Sequence, residues 1–215
     1  MRNRPILTRI SILVAAYLAL AGCASSPPSR FYTLNPLPSG EAKQSSPTAT
    51  NPVSVSIAPV EIPDYLDRPQ IVTRDGSNEL RLAEFDRWGG SLSDNIGAVL
   101  AENLAQLLGT DQVYAYPRMR VEKADYSVAM RVLRLDCTAG DKVLLKVQWV
   151  LSAGPDRKDV ATRVATFTER LNDTRYETVV AGVGQTMAQA SREIAREIID
   201  RQKGVTPNPH EHVGP

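Results

Sequence analysis

The chain reads as an α+β domain, a two-layer sandwich in which a mostly antiparallel sheet carries two main helices packed on one face. Three observations predict this. Many short segments alternate apolar and polar residues; two long amphipathic stripes lie near residues 91–109 and 175–203; and the order is strands, helix, several meandering strands, helix. No internal repeat interrupts that order.

Residues 1–22 read as a lipoprotein signal peptide. Arg2, Arg4 and Arg9 precede an apolar run from Ile10 to Leu20, and Leu20-Ala21-Gly22-Cys23 follows. Charged region, apolar run and small-residue cleavage site describe an export signal. A cysteine directly at the cut resembles a lipobox, which makes Cys23 the acylated residue. The competing readings are an ordinary signal peptide with an incidental cysteine, or a membrane helix; the apolar run is short for ~30 Å of hydrocarbon. Each buried methylene contributes ~0.8 kcal/mol, so several acyl chains would hold the protein in membrane lipid permanently. Ala24, where an aspartate would resemble inner-membrane retention, resembles lipoproteins sorted to the outer membrane, with the domain facing the periplasm.

Cleavage before Cys23 leaves 193 residues with 22 basic against 24 acidic side chains. A near-neutral chain of this size suits one domain with a proper core, and gives no argument for nucleic acid. With Cys23 acylated, Cys137 is alone and no intramolecular disulfide is possible. Cys137 ends an apolar strand pattern, so it reads as a small buried hydrophobe, against the alternative of a reactive thiol.

Residues 23–52 are a proline- and serine-rich tether, interrupted by the aromatic patch Arg30-Phe31-Tyr32-Thr33-Leu34. Linkers rarely need such a patch, and it is expected to dock as a short strand near 30–34. The main domain spans 53–203. Val53 to Ile57 alternates cleanly, and Pro59 and Pro63 end it. Gln70 to Arg74 and Glu79 to Phe85 form a hairpin through Asp75-Gly76-Ser77-Asn78. Ser91 caps the first helix, with Asp94 as a capping-box partner, and Gly109 closes it. Its stripe is Ile96, Val99, Leu100, Leu104, Leu107 and Leu108.

A short strand at Gln112 to Tyr116 follows. Tyr126 to Asp136 changes apolar parity near Val132-Leu133, which predicts a bulge. Lys142 to Ser152 alternates through Val143, Leu145, Val147, Trp149 and Leu151. After Gly154-Pro155-Asp156, Val160 to Asn172 places Ala161, Ala165, Phe167 and Leu171 on one face. The second helix, Arg175 to Lys203, has Val180, Val183, Met187, Ala190, Ile194 and Ile198 as its stripe, with Gly182 and Gly184 weakening its start. Residues 204–215 are expected to be a disordered tail.

Little of this points to catalysis. The two histidines, His210 and His212, lie in the tail, where a loose metal site with Glu211 competes with plain solvation. Gly182-Val183-Gly184 falls inside helical periodicity and has no lysine, unlike a phosphate loop. No serine has a nucleophile-elbow context, and Asp64, Asp67, Glu84 and Asp86 read as surface charge. The expectation is a binding or assembly protein, not an enzyme, with no cofactor and no metal.

One region stands out. Tyr65, Leu66, Arg68, Gln70, Arg87 and Trp88 gather around the hairpin, and aromatic and arginine side chains beside a turn suit a partner-binding surface. The competing reading has Trp88 plugging the core beneath the first helix and Arg68 pairing with Glu84.

These same residues carry a resemblance. The lipobox, Arg30-Phe31-Tyr32-Thr33-Leu34, Ile57-Ala58-Pro59-Val60, Tyr65-Leu66-Asp67-Arg68-Pro69-Gln70-Ile71-Val72, Glu84-Phe85-Asp86-Arg87-Trp88, Leu92 and Ala101-Glu102-Asn103-Leu104 are similar, in succession, to the ABC-type transport auxiliary lipoproteins, PqiC-like branch. The similarity covers nearly all of the mature chain to the end of the second helix. It implies an outer-membrane lipoprotein of a lipid-transport or envelope-integrity system, working with an MCE-domain protein and an inner-membrane permease. It supplies no catalytic residue. In that role the domain docks the end of the MCE assembly, as a possible homo-oligomer matching its symmetry. The alternative is a periplasmic lipid carrier, which needs an apolar pocket of hundreds of Å³. Evenly alternating strands argue for a filled core instead.

Overall fold

A computed structural model describes residues 27–38, 53–116 and 124–204. The signal peptide, Cys23, most of the loop from Asn35 to Pro52, and the tail histidines lie outside the described residues. Among the described residues, eight strands and two helices follow in chain order. They are β1 (Arg30–Tyr32), β2 (Val55–Ile57), β3 (Gln70–Asp75), β4 (Glu79–Trp88), α1 (Leu92–Leu108), β5 (Val113–Ala115), β6 (Tyr126–Thr138), β7 (Lys142–Ala153), β8 (Lys158–Arg170) and α2 (Tyr176–Gln202).

Among the described residues the strands make two sheets, ordered β1-β4-β3 and β5-β2-β6-β7-β8. The long pairings are antiparallel: β3 with β4, β6 with β7, and β7 with β8. Three short strands add parallel pairs, β1 with β4 and β2 with both β5 and β6. The architecture is thus the expected α+β sandwich, with the hairpin split off into a sheet of its own.

Strict alternation explains the large sheet. Val143, Leu145, Val147, Trp149 and Leu151 of β7 are all fully buried, because period-two side chains place every second residue against α2. Facing them across β8 are Phe167, Ala165 and Ala161, opposite Leu145, Val147 and Leu151. Pairing of β6 with β7 passes from Val132↔Val147 to Arg134↔Lys146. Leu133 is therefore the extra residue of a bulge, where the parity change predicts one, and it points outward at 38% exposure.

Helix α1 buries its whole predicted stripe. The Ser91 side chain accepts from the Asp94 amide at 3.3 Å, and Gly109 closes the helix in the left-handed region. Helix α2 packs on β7 and β8 and against α1. Gly182 has a packing reason for being there. A Cβ at that position would lie 2.7 Å from Leu171 Cδ2 and 2.9 Å from Val143 Cγ2, so only glycine lets the helix approach the sheet this closely. At Gly184 a Cβ would meet only Asn35 O, at 3.6 Å.

Candidate functional site

The N-terminal segment and the hairpin build one continuous feature. Strand β1 lies parallel to β4 with Arg30 opposite Asp86, Phe31 opposite Arg87 and Tyr32 opposite Trp88. Alternation sends Arg30 and Tyr32 to one face and Phe31 to the other. On the first face Arg30 Nε lies 2.8 Å from Asp86 Oδ1, and Tyr32 Oη donates to the same oxygen at 2.7 Å. Asp86 is buried, and burial together with its carboxylate raises the Tyr32 phenol above its ordinary pKa. Two charge-assisted contacts thus clamp β1 to the end of β4.

Beyond β1 the chain crosses the helices as a strap. Leu34 and Leu37 are core residues, each 4% exposed, and full burial of a leucine contributes ~1.5–3 kcal/mol. An extended chain between two helices has no ladder for its amides, so α1 supplies the acceptors. The Leu34 N–H donates to Asn95 Oδ1 and the Leu37 N–H to Asn103 Oδ1, both at 2.7 Å. Eight residues of helix rise ~12 Å, and three residues of extended chain span ~10 Å, so the two asparagines match the strap's own spacing. Asn103, fully buried, also donates through Nδ2 to Ser191 Oγ of α2 at 3.1 Å. One side chain thereby ties strap, α1 and α2 together.

Open clefts flank this strap. One of about 350 Å³ is lined by Tyr32, Trp88, Ser91, Asn95 and Tyr116. Another, of about 330 Å³, is lined by Leu37, Val180, Gly184 and Ala188. Both are surface features, while the layer between the large sheet and α2 is filled by the fully buried β7 residues.

The six hairpin residues singled out from sequence divide by burial. Leu66 and Trp88 are core residues, 3% and 6% exposed. The Trp88 amide donates to Pro69 O at 2.7 Å, which seals the hairpin's base. Tyr65 packs against the core, and its hydroxyl meets the backbone of Leu135, accepting from the amide at 3.2 Å. Gln70 and Arg87 are half-buried partners across the ladder. Arg68 is exposed, but among the described ion pairs it has none with Glu84. The hairpin instead joins the large sheet through Arg74, whose Nε donates to the buried Asp136 at 2.7 Å.

Sequence reasoning missed several residues. Asp86 reads as surface charge but is buried by its partners. Asn95 and Asn103 look like ordinary helix polars; their signal was spacing on the apolar side of α1. Phe31, 66% exposed, was placed inside a docking patch, although its position between Arg30 and Tyr32 already sends it to the opposite face. Leu80 and Leu82, at 38% and 50% exposure, leave apolar surface near the hairpin tip.

Comparison with known proteins adds a family and a fold. The family model described as "ABC-type transport auxiliary lipoprotein component" matches residues 32–195. A crystal structure of an uncharacterized protein shares 18% identity over 80% of this chain and 99% of its own, with a TM-score of 0.64. A crystal structure of a protein from Xanthomonas campestris also shares 18% identity, over 83% of this chain and all of its own, with a TM-score of 0.64. Both show the fold alone. No protein with a curated description matches the chain. Among the described residues no helix is long and apolar enough to cross a membrane.

Proposed function

Because the chain belongs to the ABC-type transport auxiliary lipoprotein family, and so to membrane-anchored proteins of a transport system, we propose that it is a non-enzymatic docking subunit. Acylated at Cys23 and sorted by Ala24 to the outer membrane, it faces the periplasm. There it receives the end of an MCE-domain protein whose inner-membrane permease completes the system. The observation that carries this reading is the strap: the segment nearest the anchor is built into the core through Asp86, Asn95 and Asn103. A carrier that shuttled between membranes would gain nothing from such a connection, whereas a dock must hold its position.

The partner surface on this reading is the hairpin tip, where Leu80 and Leu82 stand exposed beside Arg81. Homo-oligomerisation has a separate candidate surface. Strand β8 is one of the two outer strands of the large sheet and exposes Val164 at 55%, and an open strand edge is a ready pairing surface.

The test is purification of the full-length lipidated protein from gently solubilised envelopes, followed by mass spectrometry. An MCE-domain protein should co-elute in fixed ratio and be lost when Leu80 and Leu82 are both changed to Ser. Stoichiometric phospholipid extracted from a chain without partners would instead establish the carrier alternative.

A further inference from the structure

The base of the hairpin carries a side-chain row that the fold itself does not use. Phe31, Arg87 and Gln70 are directly opposite one another across β1, β4 and β3, so they share one face. Phe31 is 66% exposed, and the Arg87 Nε is buried without a hydrogen-bond partner. A groove of about 430 Å³ beside them is lined by Phe31, Asp67, Arg68, Trp88 and Leu92. Row and groove together present an aromatic ring beside two guanidinium groups, Arg87 in the row and Arg68 in the groove.

We propose that this row is the membrane-contacting face, with Phe31 seated among the acyl chains' outer carbons and Arg68 and Arg87 on phospholipid phosphates. This rests on acylation at Cys23, as proposed above. Covalent geometry then commits the occupant. Eight residue-to-residue steps lead from Cys23 to Phe31, a reach of at most ~28 Å when fully extended, and Arg30 is fixed to Asp86. The ring therefore cannot leave the neighbourhood of the bilayer while the strap is docked. An exposed apolar side chain with basic neighbours is the composition that lies in a headgroup region, and guanidinium pairs bidentately with phosphate. Asp67, in the same groove, suits the ammonium of phosphatidylethanolamine. The tip residues Leu80 and Leu82 lie at the far end of β4, up to ~27 Å from Trp88 at ~3.4 Å per residue. One hairpin would thus stand with its base on lipid and its tip in the periplasm.

The experiment uses full-length lipidated protein in vesicles of phosphatidylethanolamine and phosphatidylglycerol. A nitrobenzoxadiazole dye is attached to Phe31→Cys, or to Asp156→Cys, in the exposed turn between β7 and β8, as a water-facing reference; buried Cys137 stays unlabelled. Vesicle flotation reports the anchor, and quenching by headgroup spin-labelled lipid reports the face. The dye at position 31 should emit at shorter wavelength and be quenched several-fold more than at position 156. Flotation with equal quenching at the two positions overturns the membrane face and leaves the anchor standing. Failure of the unsubstituted protein to float overturns the anchor and this proposal together. Shielding at position 31 that appears only on adding the MCE-domain protein overturns the proposal in favour of a protein interface.

Discussion

Replacing Asn103 with Ala should detach the strap, and the structure sets the size of the effect. Asn103 is fully buried; its Oδ1 accepts from the Leu37 amide at 2.7 Å and its Nδ2 donates to Ser191 Oγ at 3.1 Å. Ser191 keeps its own donation to Met187 O at 2.8 Å, so it loses little. Among the described residues the Leu37 amide has no second acceptor, and leaving such a group unpaired costs ~1–3 kcal/mol, with ~0.5–1.5 kcal/mol more for the lost bond to Ser191. Water entering through the cleft beside Leu37 offsets part of this, giving ~1–4 kcal/mol in all. Gln106→Ala on the same helix is the control, since its Oε1 is buried without a partner and its removal breaks no hydrogen bond there. Urea unfolding followed by tryptophan fluorescence, on the chain with Cys23→Ser, gives the two costs. Trypsin cleavage after Arg30 reports the strap directly and should accelerate in Asn103→Ala alone. Equal costs for the two variants, with equal cleavage at Arg30, would refute the reasoning.

Further outcomes follow from the same geometry. Asp86→Ala removes the acceptor of the Tyr32 hydroxyl and should cost ~1.5–3 kcal/mol in urea unfolding, with the exposed Arg30 pair adding ~0–1 kcal/mol. Gly182→Ala should lower the melting temperature, since its Cβ would lie 2.7 Å from Leu171 and 2.9 Å from Val143 and overpacking costs ~1–3 kcal/mol. Gly184→Ala, which meets only Asn35 O at 3.6 Å, should be neutral or stabilising by up to ~1 kcal/mol from helix propensity. Burial pushes the Cys137 thiol up to about 12, so iodoacetamide at pH 8 should label it only in urea. Because that folded value is raised, its contribution to stability is complete below the unfolded value of 9.0 and declines as pH rises toward 12. Asp173, hydrogen-bonded by the Arg175 and Thr178 side chains and the Arg175 amide, is held down at about 2 against 3.8. Its contribution is present above pH 3.8 and lost as pH falls through 2, so Asp173→Asn should flatten the acid end of a stability–pH curve.

Much of the secondary structure was legible because its signals are local. A parity break in one strand announces the Leu133 bulge, and a serine and a glycine bracket α1. Pairing was less legible. Three-residue strands such as β1 and β2 carry too little pattern to specify neighbours, and their parallel partners are distant in sequence. The second sheet was missed for the same reason, since the hairpin's separate allegiance is set by β1 and by Arg74 with Asp136. At the candidate site, residue type pointed to the right neighbourhood but not to exposure. Trp88 and Leu66 face inward because the hairpin base folds over them. The exposed ring turned out to belong to Phe31, and polar residues on a buried helix face, Asn95 and Asn103, served a backbone that had no sheet to join.

The graded burial along the strap has a mechanical consequence. With Cys23 as the proposed anchor, any tension between bilayer and domain would arrive at Arg30, whose side chain is 66% exposed, before it reached Tyr32, Leu34 and finally the sealed contact at Asn103. The fasteners are therefore loaded in series from weakest to strongest, so a brief pull spends itself on a solvent-exposed ion pair that reforms at once. Only sustained force would peel the chain back to Asn103. Slack would then appear suddenly, since release as far as Val53 lets the linker lengthen from seven residues to thirty, a contour of ~100 Å. The connection would behave as a mechanical fuse, stiff under small displacements of the envelope and yielding under large ones.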